Sequence, residues 1–313
     1  MFDAEPIHGK GSFIRALPRS GRVLDVGCGN GSPAFFRSMR PDIYYVGVDV
    51  DDCNQPGDPS EHADEYVVCP PKEFAATLES YAGQMDAVVS THNLEHCDEP
   101  ERVIDAMVSA LRPGGRLYLA FPCEESVHFP KRAGCLNFFD DRTHQRVPSW
   151  RSTLEALSAR GCEFEFKAKR YRPCPLWIRG LLFEPVSMLR RQVIPGATWA
   201  LYGFESVIWV RKPALPVVLG NWGPQEARVG EGVNIQPSGE SAIWIQAQNV
   251  TGFGETWVEF GEYRAVAPAM VYPDVITTSV PNIILDNAGD YQVSIVESSG
   301  RRTAVGTLVV TDR

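Results

Sequence analysis

The 313-residue chain carries 30 Lys and Arg against 39 Asp and Glu, a formal net charge of −9, with 44% hydrophobic and 22% charged residues. This is the composition of an ordinary globular protein of about two domains. Its acidity argues against a nucleic-acid partner, because binding phosphates needs a basic surface. The sequence has no 18-residue apolar run to cross a bilayer, and the opening MFDAEPIHGKGSF lacks the apolar core of a signal peptide, so a cytoplasmic location is expected.

In chain order, GSFIRALPR reads as a short helix and RVLDV as the first strand. The stretch VLDVGCGNGSP (23–33) follows with three glycines in five positions. Further strands are YYVGVD, EYVVC, DAVVS, RLYLAF, EFEFKAK and ESVIWVR. In PERVIDAMVSALRPGG, Val103, Ile104, Met107, Val108 and Leu111 recur at helical spacing, Asp98 and Glu101 suit the first turn, and Gly114 closes the end. A second helix starts at Ser149 and stops at Gly161. Strands alternating with helices imply an α/β, doubly wound domain with a seven-stranded, mostly parallel sheet over residues 1–213.

After KPALP the pattern changes: residues 214–313 contain no Lys, no Cys and no convincing helix, and hold 5 Lys and Arg against 11 Asp and Glu. Short alternating runs broken by Gly, Pro, Asn and Ser predict an all-β, immunoglobulin-like sandwich, with Tyr291 of NAGDYQVSI placed as a tyrosine corner. The eight cysteines all precede residue 175 and form no CxxC pair, so neither a zinc site nor a disulfide framework is expected.

A glycine-rich turn after the first strand lets a ligand approach the backbone, but dinucleotides, nucleotides and S-adenosylmethionine all use such turns. The spacing here is G-x-G-x-G (Gly27, Gly29, Gly31). Ser32 stands where a dinucleotide motif needs its last glycine, and no Lys-Ser/Thr follows to grip phosphate. Asp25 would repel a pyrophosphate and attract an ammonium or sulfonium. Asp49, ending the second strand, suits the two hydroxyls of a ribose.

Residues 10–212 resemble the class I S-adenosylmethionine-dependent methyltransferases, which share this Rossmann-like fold. The resemblance rests on LDVGCGNG, the acid at Asp49, DAVVSTHNLEHCDEP with its Leu94-Glu95-His96, and RPGGRLYLAFP. It implies that Asp25, Gly27, Cys28, Gly29 and Gly31 cradle the methionine part of the cofactor, that Asp49 holds the ribose, and that Thr91, Asn93 and Glu95 line the pocket. Val50 and the Val68–Cys69 region are the candidates for the adenine wall, because the short polar stretch 51–65 leaves no helix there. NFFDDRTHQRVPS resembles a D-x-T-H-x-R element of the group, which makes His144 the candidate general base and Asp141 and Arg146 candidate acceptor contacts. His92 is the second catalytic candidate, with cofactor-pocket shaping as its alternative. A metal reading of His92, His96 and Cys97 is outweighed by the resemblance of Leu94-Glu95-His96; Asp140 and Asp141 with Glu95 are a lesser alternative for a divalent ion, and no metal is expected.

An apolar insertion near 175–203 reads as a helical flap over the substrate cleft, with Trp177 a candidate acceptor contact. The sharper alternative is peripheral contact with a membrane, given Arg179, Arg190 and Arg191 beside Trp177, Leu181 and Leu182; Glu184 and Pro185 exclude a spanning helix. In the β-domain, Trp244 and Trp257 sit on the more polar strand faces and suit either sugar stacking or an edge contact. The expected activity is methylation of oxygen on a sugar, glycan or other small hydroxylated acceptor, with the sandwich serving docking or homodimer formation. The rivals are an inactive cofactor-binding scaffold and a nucleotide-sugar or NAD-dependent oxidoreductase.

Overall fold

A computed structural model describes residues 7–51, 57–250, 256–271, 274–297 and 300–312. The chain divides after Pro213 into two units. In the first, elements run α1 (Lys10–Arg15), β1 (Arg22–Val26), α2 (Ser32–Met39), β2 (Tyr44–Asp49), β3 (Glu65–Val68), α3 (Phe74–Glu79), β4 (Met85–Thr91), α4 (Pro100–Ala110), β5 (Leu111–Pro122), α5 (Trp150–Ala159), β6 (Glu163–Ala168), α6 (Cys174–Arg190), α7 (Thr198–Tyr202) and β7 (Glu205–Arg211). The sheet order is β3-β2-β1-β4-β5-β7-β6. Neighbours pair in parallel from β3 to β5, and β7 runs antiparallel to both β5 and β6. The strand order reverses between β1 and β4, the point where such sheets open a crevice at their carboxyl ends.

Alternation along β1 explains the two layers. Leu24 and Val26 join a core with Val46, Val88, Leu119 and the helix residues Val103, Ile104 and Met107. Val23 faces the other way, into a core with Phe13, Phe36, Tyr45 and Trp209. Asp25 therefore shares the α1–α2 side with Tyr45, and it is a carboxylate buried at a sheet end. Helix α4 is shorter than its periodicity suggested. It stops at Ala110 and β5 begins at once, because Pro113 disfavours helical geometry at Arg112, and Gly114 turns at φ +80°. Helix α5 starts as expected, with the Ser149 hydroxyl accepting from the Ser152 N–H at 3.3 Å.

Beyond β6, the apolar insertion forms α6 and α7. Its inward anchor is polar. The Arg132 guanidinium donates to both Glu184 carboxylate oxygens at 2.6 and 2.9 Å and to Ser187 Oγ at 2.6 Å. The Tyr202 hydroxyl donates to Glu184 Oε1 at 2.6 Å, closing the network onto α7. Arg132 beside it holds the Glu184 carboxyl below its ordinary value.

The second unit contains β8 (Val218–Gly223), β9 (Glu226–Arg228), β10 (Ala242–Gln248), β11 (Trp257–Phe260), β12 (Tyr263–Arg264), β13 (Met270–Val271), β14 (Val275–Ser279), α8 (Asn282–Leu285), β15 (Gly289–Val296) and β16 (Arg302–Thr311). The sheets are β13-β14-β10-β8 and β12-β11-β15-β16-β9. Ile243 and Ile245 of one sheet and Val258, Phe260, Val293, Ile295 and Leu308 of the other bury together in a single apolar cluster. The Tyr291 hydroxyl donates to the Asn287 carbonyl at 3.1 Å, the bond that a tyrosine corner requires. One correction is the four-residue α8, which the composition did not signal. Trp244 is partly exposed opposite Gly223, and the Trp257 ring carries the Arg264 guanidinium 4.7 Å above it.

The Arg132 network makes a stability prediction. Arg132→Met leaves Glu184 without its cation in a largely buried setting, which should cost about 3 kcal/mol; Tyr202→Phe, removing one neutral donor, should cost about 1 kcal/mol. Urea unfolding of the two variants measures both, and equal losses would contradict the assigned roles.

Candidate functional site

The glycine turn is shaped by two different demands. Gly27 lies at φ +66° and Gly29 at φ +58°, conformations that side chains rarely adopt. A Cβ at Gly27 would also come within 2.5 Å of the Asn93 side chain, so this glycine is required by packing as well. Gly31 differs: its φ is −89°, and a Cβ there would meet no atom within 4 Å among the described residues beyond its chain neighbours. The fold itself does not require glycine at position 31, and its bare backbone lies open to a ligand.

Both acids flanking the turn have protein partners. Asp49 accepts from the Gly29 N–H and from its neighbour's Val50 N–H, each at 2.7 Å, and so fixes the turn against β2. Asp25 accepts from the Ser32 hydroxyl, from the Tyr45 hydroxyl at 2.9 Å and from the Lys10 ammonium at 3.4 Å. Lys10 also donates to Ser32 Oγ at 2.7 Å. The ammonium beside Asp25 is thus the protein's own and falls on Oδ2, while Oδ1 has no hydrogen-bond partner among the described residues. Neither Lys10 nor Tyr45 was singled out in the sequence. Burial, reinforced by the Asp25 and Asp49 charges, pushes the Cys28 thiol far up, so Cys28 lines the turn as a neutral group.

At the end of β4 the chain turns sharply, with His92 at φ +53°. The His92 ring lies between two carboxylates, with Nδ1 3.0 Å from Glu95 Oε1 and Nε2 3.1 Å from Glu205 Oε1. Burial opposes charge on this ring, but the bonds from Glu205 and Glu95 outweigh it and the pKa is pushed up to about 10. At neutral pH His92 is an imidazolium with both nitrogens engaged, and an imidazolium cannot take a proton. The placement therefore speaks against His92 as general base. Trp199 of α7 and Phe204 pack on its ring at 5.0 and 5.9 Å. Glu205, Trp199 and Phe204 were not identified from the sequence.

The loop after β5 closes over this region. Asn137 caps it, and Asp140 Oδ2 accepts from the N–H groups of Arg132, Leu136 and Asn137. Asp140 thus anchors the loop. His144 is almost fully buried; its Nδ1 lies 2.6 Å from the Phe138 carbonyl, to which only an N–H can donate. Its Nε2 lies 3.9 Å from both Glu95 Oε1 and Asp141 Oδ2. Asp141 accepts from the Thr143 N–H at 2.8 Å and from its hydroxyl at 2.6 Å. Gln145 ties the loop to the β4 end, its N–H donating to the Glu95 carbonyl and its amide to the His96 carbonyl, both at 2.9 Å. Glu95, His96 and His144 each present a ligand atom within 4.8 Å of the others. Cys97 is no part of that group; its thiol donates to the Asn93 carbonyl. Arg146 is instead half-exposed and paired with Glu101 at 2.9 Å, which corrects its expected role as an acceptor contact. Trp177 lies half-buried on α6. Val50 and Val68 are exposed, and Cys69 is buried.

A family model described as a methyltransferase domain matches residues 7–165, half of the chain. The ubiquinone biosynthesis O-methyltransferase of Xanthomonas axonopodis is 32% identical over 124 residues, covering 34% of this chain and 45% of that protein. The 27-O-demethylrifamycin SV methyltransferase of Amycolatopsis mediterranei is 34% identical over 104 residues, 31% of this chain and 37% of that one. A mouse tRNA (carboxymethyluridine(34)-5-O)-methyltransferase is 31% identical over 112 residues, 33% of this chain and 15% of that protein. The chain thus spans less than half the length of each of these curated relatives. An S-adenosylmethionine-dependent methyltransferase structure from Archaeoglobus fulgidus aligns with a TM-score of 0.40 at 17% identity, over 66% of this chain and 96% of its own.

The cofactor is S-adenosylmethionine, and the residues present fit it. Besides the open backbone of Gly31, the buried atoms Asp25 Oδ1, Ser90 Oγ, Thr91 Oγ1, Asn93 Nδ2 and Glu95 Oε2 have no hydrogen-bond partner among the described residues. All five belong to the carboxyl ends of β1 and β4 or the turn after β4. Leaving each unpaired costs about 1–3 kcal/mol, a cost that a polar ligand in the crevice would relieve.

Two outcomes follow. Gly27→Ala should lower stability by about 2 kcal/mol through backbone strain and the clash with Asn93, and weaken S-adenosylhomocysteine binding measured by calorimetry. His92, whose folded pKa is raised from 6.5 to about 10, adds stability that is whole below pH 6.5 and is lost as pH climbs through 10. Urea unfolding at stepped pH should therefore show the gap between wild type and His92→Gln narrowing over that window; a constant gap would mean that His92 is neutral in the fold.

Proposed function

Because the chain belongs to this methyltransferase-domain family, we propose that it moves the methyl group of S-adenosylmethionine to a hydroxyl oxygen of a sugar, glycan or other small hydroxylated acceptor. All three of these relatives have names that put an oxygen at the methylated position, and a hydroxyl acceptor must give its proton to a base. When bound, the cofactor supplies a sulfonium-borne methyl whose carbon–sulfur bond breaks as the acceptor's oxygen–carbon bond forms, leaving a neutral thioether.

The observation that carries the reading is the His144 ring. With Nδ1–H given to the Phe138 carbonyl, the lone pair is on Nε2, and there the ring can accept the acceptor's hydroxyl proton. The Glu95 and Asp141 carboxylates, each 3.9 Å from Nε2, then stabilise the imidazolium that forms. Gly27, Gly29 and Asp49 position the cofactor, while Trp199 and Phe204 cover the β4 end and limit water. The β-rich unit, read as an immunoglobulin-like sandwich on its two sheets and its Tyr291 bond, serves acceptor docking.

A second reading is favoured by one observation. Glu95, His96 and His144 could hold a divalent cation, with the unpartnered Glu95 Oε2 as its oxygen ligand; the cation would then bind the acceptor hydroxyl in place of a proton transfer to His144. Labelled cofactor assayed against a panel of glycans and small alcohols identifies the acceptor. With it, His144→Ala should lower kcat by about a hundredfold or more while S-adenosylhomocysteine affinity is kept. A chelator that abolishes turnover, with recovery on adding magnesium or manganese, would favour the cation reading. Cofactor binding without transfer to any acceptor would favour a scaffold.

A further inference from the structure

Helix α6 is amphipathic in the reverse sense. Its buried positions are Gly180 and Ser187, and between them Glu184 points to Arg132. Gly180 lies so close to α7 that a Cβ there would come within 2.6 Å of Leu201. The outward positions are instead apolar: Ile178, Leu181, Leu182, Val186, Met188 and Leu189, the last two leucines being 73% and 87% exposed. At about 100° per residue these six span an arc of roughly 160°. An ordinary surface helix buries its apolar stripe and shows its polar one to water. No helix among the described residues is long and apolar enough to cross a membrane, α6 included.

The flank of this arc is cationic in a chain whose net charge is −9. Arg179 and Arg190 follow the apolar arc on one side, and Arg191 ends the helix in the left-handed region at φ +48°. Next to that end is a shallow basin of about 340 Å³ lined by Lys131, Arg132, Asp140 and Arg191. Its acid is spent, since Asp140 accepts three backbone N–H groups, and Arg132 is held by Glu184. Lys131, Arg179, Arg190 and Arg191 form no ion pair among the described residues.

We propose that α6 and these cations form a docking surface for an anionic lipid bilayer, with the apolar arc sunk at the headgroup boundary and the arginines and Lys131 against lipid phosphates. Charge complementarity chooses this occupant over a second copy of the chain. A two-fold pair built on α6 would turn each copy's cations toward the other's. A partner helix also covers a narrow stripe, whereas a bilayer accepts the whole arc.

The test is sedimentation of the full-length protein with vesicles of phosphatidylcholine alone and with vesicles one-third phosphatidylglycerol. The anionic vesicles should bind roughly tenfold tighter or more, and high salt should erase that difference. Arg190→Glu with Arg191→Glu should remove the preference for anionic vesicles. Leu182→Glu with Leu189→Glu should abolish binding to both, while the melting temperature and S-adenosylhomocysteine affinity stay unchanged, since both side chains point to solvent. Absence of binding to anionic vesicles overturns the proposal, as does binding that survives the leucine substitutions. A concentration-dependent dimer broken by the same substitutions, without vesicle binding, overturns it in favour of a second copy.

Discussion

Burying the Glu95 carboxylate completely is costly unless cations or donors reach it, and the chain around the site is arranged to supply them. The His92 imidazolium takes one oxygen and carries the charge across to Glu205 at the start of β7. Two carboxylates around one imidazolium leave a surplus negative charge, and the neighbour that faces it is His144 Nε2. That surplus makes a proton or a cation welcome at this point of the cleft. The positive φ of His92 belongs to the same arrangement. A strained turn of this kind persists only where surrounding contacts over-determine it, and here two ion pairs, the Trp199 and Phe204 rings and the backbone bond to Ala120 all hold it.

The glycine turn divides its work similarly. Gly27 and Gly29 are set by backbone geometry, while no side chain among the described residues fills the space beside Gly31. Asp25 and Asp49 look alike in the sequence, yet their surroundings give them different roles. Asp49 fixes the turn by accepting from Gly29, and Asp25 is neutralised from below by Lys10, Ser32 and Tyr45. Tyr45 is kept a phenol by burial first and by the Asp25 charge second, so it can only donate to that acid. Lys10, Ser32 and Tyr45 thus converge on one oxygen of Asp25, and the other has no partner among the described residues.

What was legible in the sequence was whatever repeats locally. Strands β2 and β7 follow local apolar runs, and α5 shows its serine cap and terminal glycine within a dozen residues. The α4 end was misplaced because apolar periodicity continues through Leu111, while the backbone is already extended at that residue, at ψ 139°. The charge state of His92 could not be read at all: Glu205 comes from 113 positions away and has no local signature. Lys10 and Trp199 were missed for the same reason. Arg146 was drawn into the site by its place in a motif, but one turn of loop beyond His144 is enough to bring it out to Glu101 at the surface.

Helix α6 shows most plainly why composition alone misleads. Its sequence, rich in Leu, Ile, Val and Met, is that of a core helix, and hydrophobicity by itself would turn those residues inward. Two features decide otherwise. Gly180 permits an approach to α7 that no larger residue would allow, and Arg132, contributed from a loop 52 positions before Glu184, captures that acid and Ser187 on the inner side. A guanidinium with a bidentate carboxylate and a hydroxyl is a more specific anchor than an apolar contact, and it fixes the rotation of the helix about its own axis. Once that rotation is set, the apolar residues have no way to turn inward. Their exposure is then a direct consequence of how the polar stripe is held.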